Sequence, residues 1–144
     1  MINYARDQIE EKITQCGEAL TDLKRYQKEG STITYLRAHP DTYFAVCYRF
    51  IGAIESLFDV AKYLLSDRGA RAKGQGDIPA LLEREQMISK ELAERLVSMY
   101  GFRNRLVHAY GTLDDAKVAE YLAEHLNDIE EMLVALSGKH SAAS

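Results

Sequence analysis

Eight consecutive residues, Arg103-Asn104-Arg105-Leu106-Val107-His108-Ala109-Tyr110, hold two arginines, an asparagine, a histidine and a tyrosine. Histidine is the side chain whose unperturbed pKa, about 6.5, lets it exchange protons near neutrality. Arginine is a permanent cation whose planar fork meets two phosphate oxygens at once. A proton carrier beside a phosphate clamp is the minimum needed to attack a phosphodiester. The run from Glu91 to Phe102 reads as helix, the octet reads as its last two turns, and Gly111 follows.

Helix geometry limits what this octet can do alone. Asn104 and His108, four apart, share a face. Arg103 and Tyr110, seven apart, lie about 20° from one another on one stripe. Arg103 and His108 diverge by about 140° on an ideal helix, so one helix does not gather them into a compact site. A second copy across a two-fold axis would. Each residue also has a structural alternative. Arg103, Arg105 and His108 are favoured near a helix C-terminus by its exposed carbonyls, and Tyr110 can be ordinary packing.

Four helices are expected to position the octet. The first runs from about Asn3 to Gln27, with Ile9, Ile13, Cys16, Leu20 and Leu23 at helical spacing. Gly30-Ser31-Thr32 ends it, and Ile33–Pro40 reads as a connector. Asp41 is the expected cap of the second helix, whose apolar stripe is Phe44, Cys47, Ile51, Ile54, Phe58, Ala61 and Leu65. Asp67–Asp77 places three glycines in eleven positions and reads as a long, flexible, basic loop, either a lip that attracts phosphate or a solvated connector. A short helix opens at Pro79. Ser89 opens the third long helix, carrying Leu92, Leu96, Met99, Leu106 and Val107, and Asp114 or Asp115 caps the fourth, which runs to Leu136. Residues 137–144 are expected to be a flexible tail. The fold class is an all-α antiparallel bundle of four main helices plus a short one, in a single domain over residues 1–136.

Composition narrows the function. The chain has 144 residues, 47% of them hydrophobic and 28% charged, as expected of a globular domain with its own core. No apolar run is long enough for a membrane span and MINYARDQIEEK has no signal-peptide core, so a cytoplasmic protein is expected. Cys16 and Cys47 fall on apolar helical stretches and read as buried thiols. His39, His108, His125 and His140 are scattered without metal-ligand spacing, so neither metal nor cofactor is expected. The net charge of −4 argues weakly against a nucleic-acid partner, but it is uneven. Thr112–Leu136 holds seven acids against Lys117 alone, net −6, which leaves +2 for the rest.

The octet fits R-X4-H-X-Y, a form of the R-X4-6-H motif of the HEPN superfamily. Its setting, Met99-Tyr100-Gly101-Phe102 before Arg103 and the polar Asn104 directly after it, resembles the HepT-type toxin branch. Arg49–Asp59 is similar to that branch's second helix, and the helix order matches over roughly residues 1–136. The resemblance implies a HEPN-like bundle and a metal-independent endoribonuclease acting on RNA as a homodimer. In it the motif helices of two protomers surround one cleft, with Arg103 and His108 catalytic. Asn104, Arg105 and Tyr110 are the supporting or RNA-binding candidates. It further implies a partner, a minimal nucleotidyltransferase antitoxin of the MntA type, that transfers AMP onto Tyr110 and with which larger assemblies form. The alternative is a non-catalytic HEPN module that holds a nucleotide, RNA or protein. Such a module needs the cations and not the proton carrier, so His108 favours the enzyme. A plain helical interaction protein requires the octet to be chance.

Overall fold

A computed structural model describes residues 4–109 and 113–143. Among the described residues it contains seven α-helices: α1 (Tyr4–Glu29), α2 (Ile33–Ala38), α3 (Pro40–Asp67), α4 (Ile78–Arg84), α5 (Lys90–Val107), α6 (Asp115–Glu124) and α7 (Leu126–Ala143). A single 3-10 turn, Gln75–Asp77, precedes α4. The result is the all-α antiparallel bundle expected from the sequence. No described helix is long and apolar enough to cross a membrane.

The long helices α1 and α3 form the main packed pair, and α5 and α7 lie against α3. Leu23, Phe50, Ile54, Leu57, Leu96, Met99, Leu122 and Ile129 are almost wholly removed from water and bind these helices into one core. An aromatic cluster fixes α5 in place. The Phe102 ring stacks on Tyr121 of α6 at 4.0 Å and meets Phe50 of α3 edge-on at 5.1 Å. Cys16 and Cys47 are buried, and burial pushes both thiols up to about 12, so they act as small apolar side chains.

Several local expectations change. Ile33–Pro40 is not a plain connector. Thr32 Oγ1 accepts the Tyr35 N–H at 3.0 Å, capping α2, and Leu36 plugs into the core. Gly30 is needed at the preceding turn, because a Cβ there would collide with the Tyr35 ring. Asp41 does not cap α3: the helix starts at Pro40, and Asp41 lies in its first turn. Phe44 leaves the expected apolar stripe and is 63% exposed. The acidic last helix is two helices, broken at His125, whose N–H bonds Tyr121 O at 3.0 Å while Nδ1 meets Asp128 Oδ2 at the same distance. The expected tail is helical as far as Ala143, because His140 gives it an anchor: the imidazole is buried, edge-on to Tyr63, with Nε2 3.4 Å from Glu10 Oε1.

Other expectations hold. Ser89 Oγ accepts the Leu92 N–H and opens α5, and Asp114 Oδ1 accepts the Lys117 N–H and opens α6. The glycine-rich loop after α3 is irregular but tied down. Arg68 Nη1 donates to Glu85 O at 3.2 Å, and the Lys73 N–H donates to Asp77 Oδ2 at 3.1 Å.

Candidate functional site

The octet begins as helix and leaves it at its histidine. Arg103 to Val107 close α5, and His108 is its C-cap, with φ −104°, ψ 26° and an N–H bonded to Asn104 O at 2.9 Å. Tyr110 lies outside the described residues. The helix ends at Val107, with His108 as its cap, so the expected two helical turns are cut short there.

Arg103 is the organised residue of the group. Its side chain is only 20% exposed, held between α5 and α3 by Glu55. Glu55 Oε1 accepts from Nη2 at 2.6 Å and from Nε at 3.2 Å, and Asn104 Oδ1 accepts from Nη1 at 2.9 Å. Charge-assisted bonds on one edge and an amide on the other fix the guanidinium plane. Three of its five N–H groups are used in this way, and each Nη keeps one more donor. The Asn104 bond links the guanidinium to the residue that shares a helix face with His108. His108 is exposed to solvent at the end of that face.

Arg105 does not join them. Two residues on from Arg103 it is about 200° around the helix, and it points toward α6. Its side chain is 62% exposed and sits 4.0 Å from Asp114 Oδ2. It lines a cavity of about 380 Å³ with Arg95, Lys117, Tyr121, His125 and Asp128. Every cation there faces an acid: Arg95 bonds Asp128 at 3.3 Å and Glu131 at 2.6 Å, and Lys117 bonds Glu120 at 3.2 Å. The cations of this hollow are already paired with its own acids, and Arg105, the octet's arginine there, is the most exposed of them.

Glu55 is the site residue that the octet does not reveal, since it lies 48 positions earlier in the chain. Its signal is an acid inside the apolar α3, flanked by the buried Ile54 and Ser56. A second apolar hollow, about 520 Å³, lies beyond the C-terminal end of the motif helix, lined by Leu36, Tyr43, Phe44, Cys47, Leu106 and Leu113. At its rim Tyr43 donates to Asp115, and Arg37 Nε bonds the same carboxylate at 2.6 Å. The Tyr43 hydroxyl first, then Arg37, hold the Asp115 carboxyl below the usual carboxylate range.

With this geometry in hand, comparison with known proteins is informative. The profile of the family described as Ribonuclease HepT-like matches residues 6–136. A candidate RNase of Archaeoglobus fulgidus is 30% identical over 119 residues, which span 83% of this chain and 83% of that protein. A second candidate RNase of the same organism is 34% identical over 93 residues, 64% of this chain and 69% of its own. Among solved structures, a tri-AMPylated HEPN toxin of Shewanella oneidensis in complex with MNT antitoxin superposes with a TM-score of 0.81 at 20% identity, covering 95% of this chain and 99% of that one. A toxin–antitoxin structure with AMP-PNP gives 0.80 at 20% identity, covering 94% and 99%. At that identity these structures speak for the fold.

Proposed function

The chain belongs to the HepT-like ribonuclease family, and from that premise we propose that it is the toxin of a toxin–antitoxin pair. Its activity is endonucleolytic cleavage of RNA without a metal ion. Arg103 and His108 are its catalytic residues. The observation that carries this reading is the Arg103 guanidinium, held half-buried by Glu55 and Asn104 with a donor to spare on each Nη, one turn from an exposed histidine.

The chemistry follows from these groups. The 2′-hydroxyl of RNA is a nucleophile already next to the phosphate, so a protein need only orient the phosphate, stabilise the charge on its oxygens and move protons. Arg103 does the first two. His108 does the third, an effect worth about 10²–10⁴-fold in rate. Asn104 keeps Arg103 in plane.

The active species is a homodimer. Phe44, Tyr48 and Val107 are 63%, 71% and 40% exposed on the helices that carry Glu55 and Arg103. Large exposed apolar side chains on the helices that carry a site favour a covering partner. A C2 contact through this face brings two copies of the motif to one cleft.

The partner that controls it is a nucleotidyltransferase of the MNT type, which attaches AMP to Tyr110. Support comes from the AMPylated toxin and its antitoxin among the structural relatives. The added phosphate carries a negative charge into the surroundings of Arg103, in competition with RNA.

The test is end-labelled RNA incubated with the protein in excess EDTA. Cleavage that leaves a 2′,3′-cyclic phosphate or its hydrolysis product is expected, and an absolute need for Mg²⁺ or Mn²⁺ sinks the mechanism. Sedimentation under the same conditions should give a dimer. Co-expression with a nucleotidyltransferase encoded beside it should abolish cleavage for wild type and leave Tyr110→Phe active.

A further inference from the structure

Transesterification of RNA needs two proton movements, one off the attacking 2′-oxygen and one onto the departing 5′-oxygen. Each protomer's octet supplies one side chain suited to proton transfer near neutrality, His108, because arginine does not release its protons. The fold brings a second ionisable group to the clamp that the octet lacks. Resting on the ribonuclease reading above, we propose that Glu55 is a further catalytic residue, the base that takes the proton from the 2′-hydroxyl, with His108 as the acid.

The placement is specific. Both bonds from Arg103 land on Oε1 of Glu55, at 2.6 Å and 3.2 Å, so Oε2 is the oxygen outside the pair. The Glu55 side chain is 43% exposed while Arg103 is 20% exposed, so the carboxylate is the more accessible member of the two. A phosphate on the spare Nη donors sits about 2.7–2.9 Å from the guanidinium nitrogens. Its 2′-oxygen attacks from about 3–3.5 Å. A carboxylate bonded to the same guanidinium is then in position for the about 2.6–3.2 Å contact that a base needs.

A purely binding role for this acid runs against electrostatics. A carboxylate against the phosphate clamp repels the substrate's own charge and weakens ground-state binding. Proton abstraction gives that charge a use which appears only as the transition state forms. In the step, the 2′-oxygen bonds phosphorus as its proton passes to Glu55 Oε2. The P–O5′ bond breaks as a protonated His108 facing the same cleft, from either copy, gives its proton to O5′. The products are a 2′,3′-cyclic phosphate and a 5′-hydroxyl. Glu55 is left protonated and His108 neutral, and proton exchange with water resets both.

Glu55→Gln keeps an oxygen that can accept from Arg103 and removes the carboxylate's charge together with its ability to take a proton. Wild type, Glu55→Gln and His108→Ala are assayed in EDTA on one RNA and on the same RNA with sulfur replacing the bridging 5′-oxygen at the cleaved bond. A thiolate leaves without a proton, so sulfur should restore His108→Ala by at least tenfold and should not restore Glu55→Gln. On ordinary RNA Glu55→Gln should lose about 10²–10⁴-fold in kcat with KM unchanged or lowered, because the charge that repels substrate phosphate is gone. The limb of the kcat–pH profile that rises from acid should disappear in Glu55→Gln, and the limb that falls toward alkali in His108→Ala. Wild-type kcat in a folded Glu55→Gln, its rescue by sulfur, or no rescue of His108→Ala overturns the assignment of roles while wild-type cleavage keeps the ribonuclease reading intact. Wild type that leaves RNA whole takes down both. If Glu55→Gln unfolds, Glu55→Asp carries the test: it should keep the rising limb at a rate at least tenfold lower, and an unchanged rate overturns the proposal.

Discussion

Arg103 and Arg105 are two residues apart and each faces a carboxylate, yet one is held tightly and the other is not. Arg103 is half-buried, bonded to one carboxylate and one amide that fix its plane. Arg105 is 62% exposed at the edge of a hollow where Arg95 and Lys117 already face Asp128, Glu131 and Glu120. Arg105 lines the hollow of about 380 Å³, and the better-organised cation is Arg103. On the proposed reading, what singles out Arg103 is how narrowly its side chain is held, more than the hollow beside it.

The largest effects should fall on the Arg103 side. His108→Ala should lose about 10²–10⁴-fold in turnover while keeping most of its RNA affinity, because proton transfer belongs to the transition state. Arg103→Ala should lose about 10²–10³-fold in kcat and also bind RNA more weakly, since the guanidinium meets phosphate before and during reaction. Filter-binding and single-turnover kinetics separate the two. Equal affinity loss in both variants contradicts the division of roles.

A much smaller response is expected across the helix. Arg105→Ala should change kcat/KM by less than tenfold and flatten the salt dependence of RNA binding slightly, as an exposed cation contributes mainly long-range attraction. A loss matching that of Arg103→Ala would erase the distinction between the two faces.

The smallest effect concerns the latch at the start of α6. Asp115 titrates below the usual carboxylate range because of the Tyr43 hydroxyl and then Arg37. A carboxyl whose folded pKa is depressed contributes stability above its unfolded pKa and loses it as pH falls through the folded value. The Tm of wild type should therefore fall more steeply with acid below the ordinary carboxylate range than that of Asp115→Asn. Parallel curves would mean that the latch adds nothing.

Much of the fold was legible from the chain. Helical spacing marked α1, α3, α5 and the core faces, and the caps at Ser89 and Asp114 opened helices where expected. Less visible were features set by single contacts. α2 depends on one cap and one buried leucine, the break at His125 on a local bond to Asp128, and the last turns of α7 on the docking of His140. Phe44 has the spacing of a core residue, yet it is 63% exposed.

The candidate site divides along the same line. The sequence by itself determined the cation, the amide and the proton carrier, because their types and spacing within one helix end are local facts. It also determined that Arg103 and His108 would diverge, since an α-helix turns about 100° per residue whatever surrounds it. Only the tertiary structure decided which arginine is held. The packing of α5 on α3 brings Glu55 to Arg103 across 48 positions of chain, while Arg105 meets Asp114 at the start of α6 only at 4.0 Å. The physical reason is reach. Helix periodicity is written in neighbours, whereas a salt bridge between helices exists only after apolar burial has fixed their distance and rotation.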